Sequence, residues 1–326
     1  IIVQLVNKEG GFKGSAFISD DNIICSGGSS DIVAVTFPSG RVYAVKRPRQ
    51  RGHLMKKKIT QAQRERAFFE KELKHENLLE CLGFCCVDMI PGCLIMPLMH
   101  ITLLDVITKS DGLCGKELLS HVRPVVSGLL YLHRNGVAHM DLKPENIMLS
   151  NPSDPSSIKI IDFGLMAEAD NVSGGKRGTL YFASPEIFVK DFSKVDVRQA
   201  DMWSLGLLMY SMMENEFFVD FIFDKLKQAL IDEGMNQAFP KTIEKVLKSF
   251  LIDPQCTGVI PLLGMTDYYK LEEVIHPQIA NRLRDKEDPD NGLIGSLCLA
   301  LLKREGERMT ADDVMRDIDR SFFSHS

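Results

Sequence analysis

No apolar stretch in this chain reaches the about 18 residues that a membrane-spanning helix needs, and nothing at its start reads as a signal peptide. Basic charge is not in excess. The formal net charge is -5, which gives no support for nucleic acid or a membrane surface as the main partner. The local exception is the basic run Arg47 to Lys58, read as a solvated connection between a strand and a helix. Cys-x-x-Cys spacing is missing among the eight cysteines; Cys85 and Cys86 are adjacent, while Cys25, Cys114, Cys256 and Cys298 stand alone. Zinc is therefore not expected, nor is a disulfide framework in so long a chain. Free thiols in a reducing compartment, cytoplasm or nucleus, are the simplest expectation. Internal repeats and long low-complexity tracts are also missing. The opening Ile1-Ile2-Val3 suggests a domain excised from a longer protein, its targeting segments left behind.

What is present is enough for a large core. With 326 residues, 44% hydrophobic and 25% charged, the chain is expected to form two lobes. Up to about Met99 the pattern is strand-like with one helix. Asp31 to Phe37 and Arg41 to Lys46 are β-branched runs joined by Pro38-Ser39-Gly40, a hairpin signal. Apolar Ile59, Ala62, Phe69 and Leu73 predict a helix over 59–74. Strands are expected at Leu78 to Val87 and Cys93 to Met96, with Pro91-Gly92 as the turn between them. From Leu103 helices dominate, and Leu118 to Asn135 reads as a long amphipathic helix stopped by Asn135-Gly136. Strands followed by helices predict an α+β chain, with a β-rich lobe joined to a helical one.

The chemistry is concentrated between 139 and 164. His139-Met140-Asp141-Leu142-Lys143-Pro144-Glu145-Asn146 supplies a carboxylate, an ammonium and an amide on one loop. A polar loop, Asn151 to Ser157, and the apolar run Ile158 to Ile161 then lead to Asp162-Phe163-Gly164, a second carboxylate at a strand end. A phosphate ester carried with a divalent cation needs such a set: an orienter for a hydroxyl, a cation for the phosphoryl group, and oxygen ligands.

These two segments resemble the catalytic loop and the metal-binding loop of the eukaryotic protein kinases, serine/threonine type, over roughly Ile24 to Phe322. The resemblance implies a two-lobed kinase fold: an N-lobe of antiparallel sheet plus one helix over 1–96, a hinge at 97–99, and a mainly helical C-lobe over 100–326. It implies ATP and Mg²⁺ as cofactors and protein serines or threonines as acceptors. In that family Asp141 accepts or orients the hydroxyl proton, Lys143 contacts the γ-phosphate, and Asn146 and Asp162 bind metal. His139 and Phe163 are expected only to pack.

Lys46 ends Val42-Tyr43-Ala44-Val45-Lys46, which resembles the Val-Ala-Ile-Lys strand whose lysine meets ATP phosphates and a helix carboxylate. Glu65 is the preferred partner, one turn before apolar Phe69; Glu70 and Glu72 are also available. The phosphate-covering pattern Gly-x-Gly-x-x-Gly-x-Val maps onto Ser26-Gly27-Gly28-Ser29-Ser30-Asp31-Ile32-Val33. There Ser26 and Asp31 replace the outer glycines, and Asp31 would place a carboxylate near a polyanion. Met96-Pro97-Leu98-Met99 resembles the hinge, with Met96 as gatekeeper and the backbone of Pro97 to Met99 facing adenine. Val33, Ala44 and Met148 are expected to sandwich the adenine ring.

Gly178 to Glu186 resembles the segment that presents a peptide substrate, with Thr179 bracing Asp141 and Lys143. That disfavours a small-molecule acceptor. Asp201-Met202-Trp203 resembles the buried helix that anchors the catalytic loop, and Arg308 is placed to pair with Glu186. Residues 212–292 exceed what the family core requires; an enlarged helical region is expected there, with structural packing the preferred role and a docking surface the alternative. Two departures stand out. Met140 occupies the arginine position of His-Arg-Asp, so activity is expected not to depend on activation-loop phosphate at Ser173 or Thr179. The altered glycine loop keeps a second reading open, an ATP-binding scaffold without turnover.

Overall fold

A computed structural model describes residues 2–6, 12–17, 23–26, 30–37, 39–49, 55–87, 90–110, 112–169, 179, 182–184, 186–189, 192–215, 289–303 and 305–324. The chain divides into two compact units. The first is Ile1–Thr102 with Ile147–Met166; the second is Leu103–Asn146 with Ala167–Ser326. The segment Ile147–Met166 thus belongs with the strands rather than with the helices that flank it in sequence.

The first unit is built on a seven-stranded antiparallel sheet: β1 (Ile2–Val6), β2 (Phe12–Phe17), β3 (Ile23–Ser26), β4 (Ser30–Thr36), β5 (Val42–Pro48), β6 (Gly83–Val87) and β7 (Ile90–Pro97). Its order is β2-β1-β6-β7-β5-β4-β3. Register fixes its two faces, because side chains alternate along each strand. Val33 lies opposite Val45, which lies opposite Ile95, and Cys85 lies opposite Cys93. These residues, with Val35 and Val87, form one buried cluster that Phe37 and Tyr43 close, their rings 5.0 Å apart edge to face. Each such buried aliphatic side chain contributes roughly 1.5–3 kcal/mol. The alternate residues Ala44 and Lys46 face the other way. Their register partners are Ala34 and Met96 for Ala44, and Ile32 and Leu94 for Lys46.

Among the described residues of this unit the one α-helix, α1, spans Met55–Glu70 rather than 59–74. It takes up part of the basic run, and it stops early. Lys71 and Glu72 turn their N–H groups back to Phe68 and Phe69, and Glu72 adopts a left-handed φ of 56°. No glycine or asparagine announces that stop in the sequence. Leu78 to Leu82 is not strand. Leu78 and Leu79 are buried, but this stretch touches Ile160 through one bridge and one hydrogen bond of 2.9 Å. Pro91-Gly92 is not the turn either. Val87 already pairs with Ile90, and Gly92 (φ 80°) sits inside β7, where the register slips. A glycine with positive φ suits such a bulge. Two short strands, β8 (Ile101–Thr102) and β9 (Val137–Ala138), follow in the chain, and then the hairpin of β10 (Ile147–Leu149) and β11 (Ile158–Ile160). β8 joins that hairpin in the order β11-β10-β8.

The second unit holds α2 (Leu103–Lys109), α3 (Gly115–Arg134), α4 (Glu186–Val189), α5 (Val197–Glu214), α6 (Pro289–Leu301) and α7 (Ala311–Ser324), with β12 (Ala167–Glu168) paired to β9. α3 begins three residues before the expected Leu118. Its Cys114 N-cap supplies no side-chain acceptor; Asn291 of α6 accepts the Gly115 N–H at 3.0 Å instead. At its other end Gly136, in a left-handed conformation, donates to His133 O. α5 is buried along nearly its whole length, and Gly206 lets it approach Leu301 and Leu302, where a Cβ would sit 3.0 Å from each. The expected enlargement at 212–292 lies, from 216 to 288, outside the described residues. Among the described residues no helix is long and apolar enough to cross a membrane.

Candidate active site

In the first unit Lys46 is the centre of charge. β5 carries it on the face opposite the Val45 cluster, and its ammonium lies 2.8 Å from Glu65 Oε1 on α1 and 2.9 Å from Asp162 Oδ1. Of the three candidate glutamates, Glu65, Glu70 and Glu72, Glu65 takes this place. Glu70 instead accepts from Arg66 at 2.8 Å. Burial alone would lower the Lys46 pKa, but the two carboxylates outweigh it and raise it, so the ammonium stays charged. Asp162 stands at the end of β11 with φ 63° and accepts the Gly164 N–H. Phe163 next to it is fully buried, stacked on Phe68 with ring centroids 3.9 Å apart. That stack fixes the Asp162 backbone against α1, the helix that carries Glu65.

In the second unit the loop 139–146 hangs from a buried carboxylate. Asp201 of α5 accepts the His139 N–H at 2.7 Å and the Met140 N–H at 2.8 Å, and lies 3.0 Å from His133 Nε2 on α3. Met140 is buried with φ 67°, a conformation costly for a residue with a Cβ, by roughly 1–2 kcal/mol. The Asp201 bonds hold it there. The strain aims the next residue, Asp141, whose own N–H reaches His139 Nδ1 at 3.3 Å. His139 therefore does more than pack: its ring is an acceptor within the loop.

Asp141 is held from three sides. Its Oδ1 accepts from Thr179 N at 2.8 Å and Thr179 Oγ1 at 2.6 Å; its Oδ2 accepts from Asn146 Nδ2 at 2.9 Å and lies 3.2 Å from Lys143 Nζ. Lys143 also donates to Thr179 Oγ1 at 2.6 Å. The threonine hydroxyl thus accepts from the ammonium and donates to the carboxylate, which ties both to Thr179. Asn146 spends its amide N–H groups on Asp141 Oδ2 and Asp141 O, leaving its amide oxygen for a cation. The Asn146 amide oxygen in the second unit and the 40% exposed carboxylate of Asp162 in the first are each a hard oxygen donor of the kind Mg²⁺ takes. Below the loop Arg308 and Glu186 form a bidentate pair at 2.5 and 2.9 Å.

The adenine-facing expectation needs one correction. Val33 does not share a face with Ala44 and Lys46. It packs in the opposite cluster with Val45 and Ile95, because Ile32 is the register partner of Lys46 and Ala34 that of Ala44. A shift of one position along a strand moves a side chain to the other face. Ile32 and Ala34 are the residues that share the Ala44 face. Met96 is buried and Pro97 still pairs with Tyr43, so the strand runs into the expected hinge; Leu98 is exposed and Met99 partly buried. Met148, partly buried in β10, pairs with Lys159 and Thr102. Of the phosphate-covering segment, Gly27, Gly28 and Ser29 lie outside the described residues. Ser26 and Asp31 are described: they are cross-strand partners, and the Ser26 hydroxyl donates to Asp31 Oδ1 at 2.9 Å.

Comparisons with known proteins bear on the family and the fold. Death-associated protein kinase 2 of Homo sapiens is 38% identical over 114 residues, which is 34% of this chain and 30% of that protein. Protein kinase kin1 of Schizosaccharomyces pombe is 33% identical over 195 residues, 57% of this chain and 20% of that protein. The chain thus spans less than a third of either relative. The crystal structure of Rad53 1-466 in complex with AMP-PNP shares the fold at a TM-score of 0.56 and 20% identity, over 93% of this chain and 64% of that one. The model of the protein kinase domain matches residues 18–289, well over half of the sequence, and the chain belongs to that family, with its two-lobed α+β fold.

Proposed function

We propose that this chain transfers the γ-phosphoryl group of ATP, with Mg²⁺, to serine or threonine hydroxyls of protein substrates. The observation that carries this reading is the network of Asp141, Lys143, Asn146 and Thr179, in which the ammonium, the amide and the hydroxyl all converge on the Asp141 carboxylate. Asp141 orients the acceptor hydroxyl and takes its proton. The hydroxyl oxygen bonds to the γ-phosphorus, the bond to the bridging oxygen breaks, and ADP leaves. Lys143 and Lys46 offset negative charge on the phosphates. When bound, Mg²⁺ supplies further positive charge to those oxygens, and Asn146 and Asp162 are the residues that would hold it. Catalysis of this kind is mostly positioning and charge neutralisation, so a complete set of groups favours turnover. Ile32, Ala34, Ala44, Met96 and Met148 supply the apolar surface for adenine, and the backbone at Pro97 to Met99 its hydrogen bonds. The test is transfer of labelled phosphate from Mg·ATP to a mixed peptide library. Label on serine or threonine is the expected result. Nucleotide binding without transfer would establish the second reading, a scaffold.

Control by activation-loop phosphate is not part of this reading. Met140 lines a small cavity with apolar Leu142, Phe182, Ala183, Ile187 and Ala200 and polar Asp141, Thr179 and Ser204; none of these lining residues offers a phosphate a cation. The Thr179 hydroxyl is already engaged by Asp141 and Lys143. Phosphatase treatment should leave kcat within about twofold, since no charge pair is lost. A large loss would overturn this part. Ser173 lies outside the described residues. The reading extends to a reducing compartment, cytoplasm or nucleus, on the scattered cysteine spacing alone.

A further inference from the structure

Asp31 occupies the last glycine position of the phosphate-covering pattern. Taken by itself it is a defect: a carboxylate set where a polyanion is expected. Its surroundings say otherwise. Arg49 donates to Asp31 Oδ1 through Nε at 2.7 Å and again through its terminal nitrogen at 2.7 Å. Arg47, the register partner of Asp31 on β5, stands 3.7 Å from Oδ2. Ser26, its partner on β3, donates to Oδ1. The Asp31 side chain is 14% exposed. Burial alone would raise its pKa; the Arg49 and Ser26 hydrogen bonds and the two guanidinium charges outweigh that and lower it.

We infer that Asp31 is a positioning residue: a clasp that ties the two strand ends flanking the β3–β4 connection to β5, the strand that carries Lys46. The inference rests on the nucleotide-binding reading above. Glycine at position 31 would leave Ser26, Arg47 and Arg49 without their common acceptor, so this side-chain tie from β3 and β4 to β5 would be lost while the β3–β4 and β4–β5 backbone pairing remained. The carboxylate meanwhile presents no net repulsion to phosphates, since two guanidiniums offset it. What the glycine pattern gains elsewhere from close backbone approach, this chain obtains in part from a fixed base.

The experiment replaces Asp31 with the family's own residue. If Asp31 is a defect, Asp31→Gly tightens Mg·ATP binding. If it is a clasp, Asp31→Gly weakens it, by about tenfold for each 1.4 kcal/mol of lost preorganisation. We expect a three- to tenfold weakening (about 0.7–1.4 kcal/mol) that falls on KM for ATP more than on kcat. Arg49→Gln should weaken binding in the same direction, and the double variant should be little worse than either single one. Asp31→Asn, which preserves shape and removes the charge, serves if the glycine variant does not fold, and weakened binding is again expected. Faster hydrogen exchange at the Ser26 and Asp31 amides should accompany every variant. Binding of Mg·ATP by Asp31→Gly or Asp31→Asn at wild-type strength or tighter overturns the clasp, as does full additivity of the two single effects. A wild-type chain that binds no Mg·ATP at all overturns the function proposed above, a separate and recognisable outcome.

Discussion

Asp141→Asn is expected to lower kcat for phosphate transfer by about 10²–10⁴-fold while Mg·ATP binding stays near wild type. The substitution keeps the volume of the side chain and its Oδ1, so both bonds from Thr179 survive. What changes is the second oxygen. In the wild type Oδ2 faces Asn146 Nδ2 at 2.9 Å and Lys143 Nζ at 3.2 Å, both donors. An amide NH₂ there meets donors on both sides, and the position no longer accepts a proton. The loop itself should hold, because its suspension comes from the Asp201 bonds to the His139 and Met140 amides. The measurement is kcat with a peptide acceptor, alongside nucleotide affinity and the thermal midpoint. A variant that turns over at the wild-type rate would remove Asp141 from the mechanism. One that loses nucleotide binding in equal measure would show damage to the site rather than to the proton step.

Much of this site is legible in the sequence, and the reason is local. Asp141, Lys143 and Asn146 stand on one short loop, and their hydrogen bonds close largely among themselves and to Thr179. Spacing alone can reveal such a set. The Lys46 partner needs only the phase of one helix, and Glu65 has the right one. Where sequence and fold disagree, distant pairing decides. A pattern of residues carries no strand register, so it puts Val33 on the adenine side; the pairing of β4 with β5 puts it on the other face. In the sequence Asp31 is a carboxylate near a polyanion, because its neutralising partners arrive from β5, beyond a hairpin. Asn291 caps α3 from a helix far along the chain, with no local sign of it. The ring of His139 has the size of a packing group, and its Nδ1 acceptor role and the His133 contact to Asp201 emerge only from the folded loop.

The largest loss of stability is expected from Arg308→Met. Arg308 and Glu186 both have fully buried side chains, joined by two guanidinium–carboxylate bonds. Arg308 also donates to Lys303 O at 2.7 Å and Gln199 O at 2.8 Å, and its guanidinium lies 4.9 Å from the centre of the Trp203 ring. Removing it strands a carboxylate in the interior, at a cost of about 3–5 kcal/mol. That is a large share of the roughly 5–15 kcal/mol by which domains are stable. Lysine should not rescue it, because one ammonium cannot replace a planar fork that serves Glu186 and two carbonyls at once. Replacing both partners with apolar residues should recover much of the loss, since no buried charge then remains. Trp203 is the chain's single tryptophan, so its fluorescence during urea unfolding reports on this place. The pH dependence has a definite sign. Burial alone would raise the Glu186 pKa, but the Arg308 bonds and charge hold it below the usual glutamate range. Its contribution is therefore full above the unfolded-state pKa and is lost as pH falls through the lower folded-state value. Arg308→Met should lack this acid-side step. A variant that loses under about 1 kcal/mol, or a double variant as unstable as the sum of the single ones, would show that the pair does not anchor the second unit.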